Sequence, residues 1–224
     1  MRYDAGVPEF CRFSSCCLSG VQGRRFIDMD EEREAIVVTE RLRMEYPSEG
    51  RDDEVLELYN DEETMLPYLP FLCPMTPRNM KKRRDFHRRE ADEGKSLFLD
   101  LVMRDTGAFV GTSGLRTIDY KSGEAEWGAV VKKEYQRRGL CREAFEACLR
   151  YLERELKGIV KLTASTVPIN PMVNFLVAQG LTKRGSHTFK GIEWDDFVLH
   201  IADQRSGEAK QDSRLEREGL GPVC

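Results

Sequence analysis

Residues 124–156 read EAEWGAVVKKEYQRRGLCREAFEACLRYLEREL, an apolar run, a glycine turn and a helix-periodic segment in succession. Ala125 to Val131 is an apolar run of strand character. From Cys141 onward the apolar positions step by three and four, so that Cys141, Ala144, Phe145, Cys148, Leu149, Leu152 and Leu156 predict one buried helix stripe. Arg142, Glu143, Glu146, Arg150, Glu153 and Arg154 take the other side, with Glu146 and Arg150 spaced for an i,i+4 pair. Between strand and helix lies Gln136-Arg137-Arg138-Gly139-Leu140-Cys141. A helix that starts there leaves several backbone N–H groups without intrahelical partners, and its dipole backs them. Such a corner suits an anion, and its two arginines favour a phosphate. Gly139 matters because a side chain at that point would hold a ligand away from the backbone. A Gln-x-x-Gly turn alone recurs by chance, so its meaning depends on the chain around it.

Upstream, residues 1–34 carry no sustained period and read as a flexible arm. Ile36 to Met44 alternates as one strand, and Asp52 to Asn60 as a short helix with acids in its first turn. The run MLPYLPFLCPMTP, residues 65–77, holds four prolines and excludes regular helix or central strand. It reads either as a lip over a cleft or as a loop packed flat on the core. Thr76-Pro77 opens a helix to about Glu93, whose basic middle, KKRRDFHRRE, reads as a solvated face or as an attractor of anions. Ser96 to Met103 and Ala108 to Ile118 form strands joined by Asp105-Thr106-Gly107, and Lys121-Ser122-Gly123 turns into the quoted stretch. Three consecutive strands are thus antiparallel neighbours. After the long helix, Val160 to Val167 is a strand that needs a parallel crossover. Pro171 to Gln179 is a short helix closed by Gly180, and Leu181 to Phe189 with Ile192 to Ala202 make a second hairpin. Residues 203–224 read as a charged tail.

The chain has 224 residues, enough for one well-cored domain of about 35–202 between arm and tail. Its net charge of −4 argues against a general nucleic-acid binder. No apolar run is long enough to span a membrane, and the N-terminus does not read as a secretory signal. Seven cysteines without a Cys-x-x-Cys pair or a histidine cluster predict no metal site, and they fit a reducing, cytoplasmic compartment. Cys141 and Cys148 fall on one helix face as small apolar residues, although a helix N-terminus would lower the Cys141 thiol pKa toward partial thiolate.

The order strand, helix, helix, hairpin, strand, glycine turn, long helix, parallel strand, short helix, hairpin resembles that of the GNAT superfamily of acyl-CoA-dependent N-acyltransferases. The glycine turn is similar to that family's cofactor motif, Gln/Arg-x-x-Gly-x-Gly/Ala, with Cys141 in the place of the last small residue. Thr39-Glu40-Arg41-Leu42-Arg43, the Leu69-Pro70 to Thr76 loop, Ala125-Glu126-x-Gly128 and Asn170 to Leu181 are similar to the branch holding the ribosomal-protein N-terminal acetyltransferases. The resemblance covers about Ile36 to Ala202 and implies an α/β fold: a mixed, mostly antiparallel twisted sheet with a splayed parallel pair and flanking helices. It implies acetyl-CoA as cosubstrate, lying where the parallel pair parts. Trp127, Ala129, Val130 and Val131 would then give backbone groups to the pantetheine arm. Gln136, Arg137, Arg138, Gly139, Leu140 and Cys141 would hold the diphosphate, and Asn170 or, since its segment is shortened, Asn174 would touch the pantetheine side. Acetyl transfer to an amine needs a base and an oxyanion donor. Glu126 is the expected base with Glu124 in reserve, since alternation puts both on one face; the plainer reading of both is a solvent-facing strand carboxylate. An N–H near Val130 or Val131 is the oxyanion donor. The tyrosine that serves as acid in several relatives is replaced by Phe175-Leu176, and His187 and His200 read as surface or packing residues. The implied activity is acetyl transfer to a primary amine, of a protein N-terminus or a small molecule; the alternative is a non-catalytic acyl-CoA-binding or interaction module of the same fold.

Overall fold

The structure, a computed structural model, describes residues 35–201; the segments read as arm (1–34) and tail (203–224) lie outside the described residues. The elements are β1 (Ala35–Val38), β2 (Leu42–Glu45), α1 (Asp52–Tyr59), α2 (Glu62–Met65), α3 (Pro77–Asp92), β3 (Leu97–Met103), β4 (Phe109–Asp119) and β5 (Glu124–Val131). They continue with α4 (Leu140–Glu155), β6 (Lys161–Thr166), α5 (Met172–Ala178), β7 (Thr182–Phe189) and β8 (Ile192–His200). One eight-stranded sheet runs β1-β2-β3-β4-β5-β6-β8-β7. Every pair is antiparallel except β5–β6, the two strands that α4 connects. The expected α/β sheet with a single parallel pair is present. Among the described residues no helix is long and apolar enough to cross a membrane.

Helices cover both faces of the sheet at β3, whose successive residues are buried on both sides. On one face α4 lays Leu140, Ala144, Phe145, Ala147, Cys148 and Leu152 against Leu99, Leu101, Val110, Leu115, Trp127 and Leu162. On the other, α1, α2 and α3 close over Phe109 with Val55, Leu58, Tyr59, Met65 and Met80. Thr76 caps α3 by accepting from the Asn79 amide at 3.2 Å, with Pro77 in the first turn.

Two expectations need correcting. The single strand read over Ile36 to Met44 is a tight hairpin. The Thr39 amide donates to the Leu42 carbonyl at 2.9 Å, and the Leu42 amide returns to Thr39 Oγ1 at 2.9 Å, so the chain reverses between two short strands. The basic face of α3 is also not simply solvated. Arg84 is buried and pairs with Asp52 of α1, while the Arg83 guanidinium lies 4.6 Å from the Tyr59 ring centroid and donates to its hydroxyl at 2.9 Å. The long stems of these arginines fill apolar space while their heads find partners.

Beneath α1 and α3 sits an acidic pair. Glu45 of β2 and Asp100 of β3 are cross-strand partners, each 1 % exposed. Among the described residues no hydrogen bond reaches any of their four side-chain oxygens; Arg43 and Arg51 approach Glu45 at 3.1 and 3.6 Å. Burial pushes the Asp100 carboxyl up to about 7; Arg83 and Arg51 pull against it, and Glu45 and Asp52 add to it. Beside this pair, burial, Arg83 and Arg116 press His87 down to about 3, so its ring is neutral where it stacks 5.0 Å from Phe98.

Candidate functional site

The two parallel strands hold together over three positions only: Glu124 with Lys161, Ala125 with Leu162 and Glu126 with Thr163. Beyond Glu126 they part, β6 running on against β8 and β5 running on against β4 alone. The direction of each main-chain group on β5 follows from its ends. The Gly123 carbonyl accepts from Val160 and Lys161 on the β6 side, and the Lys132 amide donates to Val110 on the β4 side. By two-residue alternation Trp127, Ala129 and Val131 turn their N–H and C=O groups toward the opening. Gly128 and Val130 turn theirs toward β4; a Cβ on Gly111 of β4 would collide with the Val130 carbonyl oxygen. The even spread over Trp127 to Val131 that the sequence suggests therefore narrows to its odd positions. Val130's main chain serves β4, and its side chain packs on the α1–α3 core. Gln136 closes the strand's end by donating from Nε2 to the Val131 carbonyl at 2.9 Å.

The fork is braced by three rings. Trp127 of β5 meets Phe145 of α4 at 5.1 Å and Phe175 of α5 at 5.8 Å, and the latter two rings lie 5.8 Å apart. Phe175 is thus a packing residue tying α5 to the strand. Asn170 spends its side-chain oxygen on the Met172 amide at 2.9 Å, while Asn174 is exposed.

At the corner, Arg137 and Gly139 adopt left-handed φ values of 58° and 79°. Gly139 is the cap residue of α4 and its carbonyl accepts from Glu143. The amides of Leu140, Cys141 and Arg142 precede that first helical bond and have no intrahelical acceptor. Leu140 is buried and pins the helix start, while Arg137 and Arg138 are exposed, the Arg138 guanidinium 5.5 Å from the Tyr135 ring centroid. Cys141 is half-buried, and burial pushes its thiol up to about 12. Burial thus acts on this thiol in the direction opposite to the lowering expected at a helix N-terminus. Cys148 lies deeper, also pushed up to about 12, and belongs to the core.

Ala125 and Trp127 face the α4 core, so Glu124 and Glu126 project from the opposite face. Glu126 takes a hydrogen bond from Arg116 of β4 at 2.5 Å. Glu124 is held by Lys161 at 3.1 Å and Arg184 at 3.0 Å. Burial pushes its carboxyl up, but the hydrogen bonds from Arg184 and Lys161 outweigh that and leave it below the usual range.

Sequence reasoning missed several groups on this face. Ser165 donates to Asp196 at 2.6 Å, and the other carboxylate oxygen of Asp196 lies 3.0 Å from His187 Nδ1, so His187 belongs to a chain of polar contacts. Phe71, from the proline-rich loop, meets Phe189 at 5.3 Å and Trp194 at 6.1 Å. That loop packs on the core through Leu69 and Leu72 and also reaches across to the β7–β8 hairpin. The Trp194 indole N–H is buried and finds no acceptor among the described residues. Missed too was the contact of Thr39 and Arg41 with Glu143, about a hundred residues along the chain, since no local period marks such a pair. Among the described residues no three His, Cys, Asp or Glu side chains gather as a metal site.

Comparisons with solved structures find the same fold. The structure is similar to RimL, a ribosomal L7/L12 alpha-N-protein acetyltransferase in complex with coenzyme A, at 14 % identity and a TM-score of 0.65, over 75 % of this chain and 98 % of that one. It is similar to the microcin C7 self-immunity acetyltransferase MccE in complex with acetyl-CoA and AMP, at 15 % identity and a TM-score of 0.61, over 72 % and 93 %. A GNAT-family acetyltransferase from Bacillus anthracis matches at 17 % identity and a TM-score of 0.63, over 74 % and 98 %. A search of curated protein sequences gives no significant match. The model of the acetyltransferase (GNAT) domain matches residues 41–176, which holds β2 through most of α5 and so both the fork and the glycine corner. The chain belongs to the GNAT acetyltransferase family.

Proposed function

We propose that this protein transfers an acetyl group from acetyl-CoA to a primary amine. The observation that carries the reading is the open edge of β5 beyond Glu126, followed, after one short turn at Lys133–Tyr135, by the glycine corner at the start of α4. An extended pantetheine chain would pair with Trp127, Ala129 and Val131 as an added strand does. Its diphosphate would sit on the amides of Leu140, Cys141 and Arg142, with Gln136, Arg137 and Arg138 around it and Gly139 leaving room. The Ala129 or Val131 N–H is then the donor for the oxyanion, in place of Val130. Asn170 and Asn174 border the arm from the start of α5.

The amine nitrogen attacks the thioester carbonyl carbon, the carbon–sulfur bond breaks, and the thiolate leaves with the electron pair. Glu126 accepts the proton that the amine loses, directly or through a water, and Arg116 holds its carboxylate in place. Glu124, bound by two cations, is the weaker base. With Phe175 packed in the ring cluster, the thiolate takes its proton from solvent. A protein N-terminus and a small-molecule amine both fit as acceptor classes, since the structural relatives include a ribosomal-protein N-terminal acetyltransferase and a self-immunity acetyltransferase. The acidic net charge of −4 supports an acceptor other than nucleic acid, and the unpaired Cys73, Cys141 and Cys148 support a reducing, cytoplasmic setting.

The second reading is an acyl-CoA-binding module without turnover, favoured by the phenylalanine at the position of the acid and by the Arg116 clamp on Glu126. Thiol release from acetyl-CoA across a panel of peptide and small amines separates the two. Acceptor-dependent thiol release supports the enzyme; tight acetyl-CoA binding with no release on any amine supports the module.

A further inference from the structure

The β1–β2 turn reaches the glycine corner from the far end of the chain. Glu143, one turn into α4, would by itself set a negative charge beside the corner's amides and disfavour an anion there. Three donors of the turn meet it instead. Thr39 Oγ1 donates to Oε1 at 2.5 Å, the Arg41 amide to Oε1 at 2.7 Å, and Arg41 Nε to Oε2 at 2.7 Å. The turn is itself fixed, since Arg104 Nη1 donates to the carbonyls of Thr39 and Glu40 at 2.8 and 3.1 Å. From that anchored position Arg41 Nη1 donates to the Arg138 carbonyl at 2.9 Å. This turns an oxygen that would repel an anion toward the guanidinium, between the two left-handed residues Arg137 and Gly139. Arg41 Nη2 makes no hydrogen bond to the described residues and would stand 3.3 Å from a Cβ on Gly139. It therefore faces the space that the absent side chain leaves open. The side chain of Arg41 is 42 % exposed and that of Glu143 14 %, so the free edge of the guanidinium is on the solvent side of the pair.

We propose that Arg41 is a diphosphate-binding residue of the glycine corner: Glu143 aims it, Nη1 sets the Arg138 peptide, and Nη2 donates to a phosphate oxygen of the bound nucleotide. The assignment rests on the reading of the corner as the coenzyme A diphosphate site. It explains why an acidic residue is tolerated at Glu143, whose charge is spent on orienting a cation. A guanidinium suits the task because its planar donors serve a carboxylate, a carbonyl and a phosphate at once, which an ammonium cannot do in one position.

The test is calorimetric titration of the full chain and of its R41Q and R41K variants with coenzyme A, dephospho-coenzyme A and S-acetylpantetheine, after circular dichroism has checked the fold. The expected result is that R41Q weakens both nucleotides alike, by roughly ten- to a hundredfold for one charged hydrogen bond and its share of the corner. S-acetylpantetheine, which lacks the diphosphate, should be unaffected, and R41K should recover only part of the loss. Should R41Q fail to fold, the R41K pattern across the three ligands decides. Wild-type affinity for coenzyme A in R41Q would overturn the assignment, as would an equal loss for all three ligands, the mark of a merely structural role. A loss for coenzyme A but not for its dephospho form would move the contact to the ribose phosphate and overturn the diphosphate role. A wild-type chain that binds none of the three would refute the corner reading itself, and the role of Arg41 with it.

Discussion

Replacing Asp100 by asparagine should stabilise the protein at alkaline pH and leave it little changed in acid. The carboxyl titrates near 7 in the fold against 3.8 in an unstructured chain. Its folded pKa is raised, so the native state binds the proton more tightly than the unfolded chain, and stability falls as pH rises between the two values. The slope is about 1.4 kcal/mol per pH unit, which accumulates to about 4 kcal/mol above pH 7 as an order of magnitude. Burial sets it first, with Arg83 and Arg51 favouring ionisation and Glu45 and Asp52 opposing it. Asparagine keeps the shape and cannot ionise. Guanidinium chloride unfolding of wild type and D100N at matched ionic strength, from pH 5 to pH 8, measures the difference. The variant's advantage should widen with pH, reaching a few kcal/mol at pH 8, or several degrees in Tm for a chain of this size. A difference that stays constant across that range would refute the assignment, because an unshifted Asp100 contributes no slope there.

Gly139→Glu puts a carboxylate at a left-handed position beside the free edge of Arg41. It should abolish the thermal stabilisation that acetyl-CoA gives the wild-type chain, and a retained shift would argue against the corner as the phosphate site. Glu126→Gln should lower turnover by about two to four orders of magnitude with little change in acetyl-CoA affinity. If its pH–rate profile overlays that of wild type, Glu126 is not the base.

Much of the architecture was legible in the chain because its signals are local. The apolar run Ala125 to Val131, the stripe of α4 and the turn at Asp105-Thr106-Gly107 each specify one element. The order of those elements then requires the parallel crossover that makes the fork. What the sequence hid depends on contacts between distant residues. Thr39 closes a turn through its hydroxyl, which alternation alone reads as continuous strand. Arg83 and Arg84 lie in a basic run that looks solvated until Tyr59 and Asp52 are brought to them by α1. The direction of the Val130 peptide depends on which neighbour pairs with β5 on each side, and the burial of Cys141 on how α4 sits against the sheet. The candidate corner itself was visible as a glycine turn. Its anchoring through Arg41 and Glu143 was not, because the two residues meet only after the sheet has formed.

The central claim is that acetyl-CoA lies along the open edge of β5 with its diphosphate on the start of α4. A crystal structure of the chain with acetyl-CoA tests it most directly. The expected result is pantetheine amides paired with the main chain of Ala129 and Val131, and phosphate oxygens on the amides of Leu140 to Arg142 with Arg41 Nη2 within hydrogen-bond reach. A cofactor bound away from the fork, or a diphosphate that does not touch the 139–142 backbone, would contradict it.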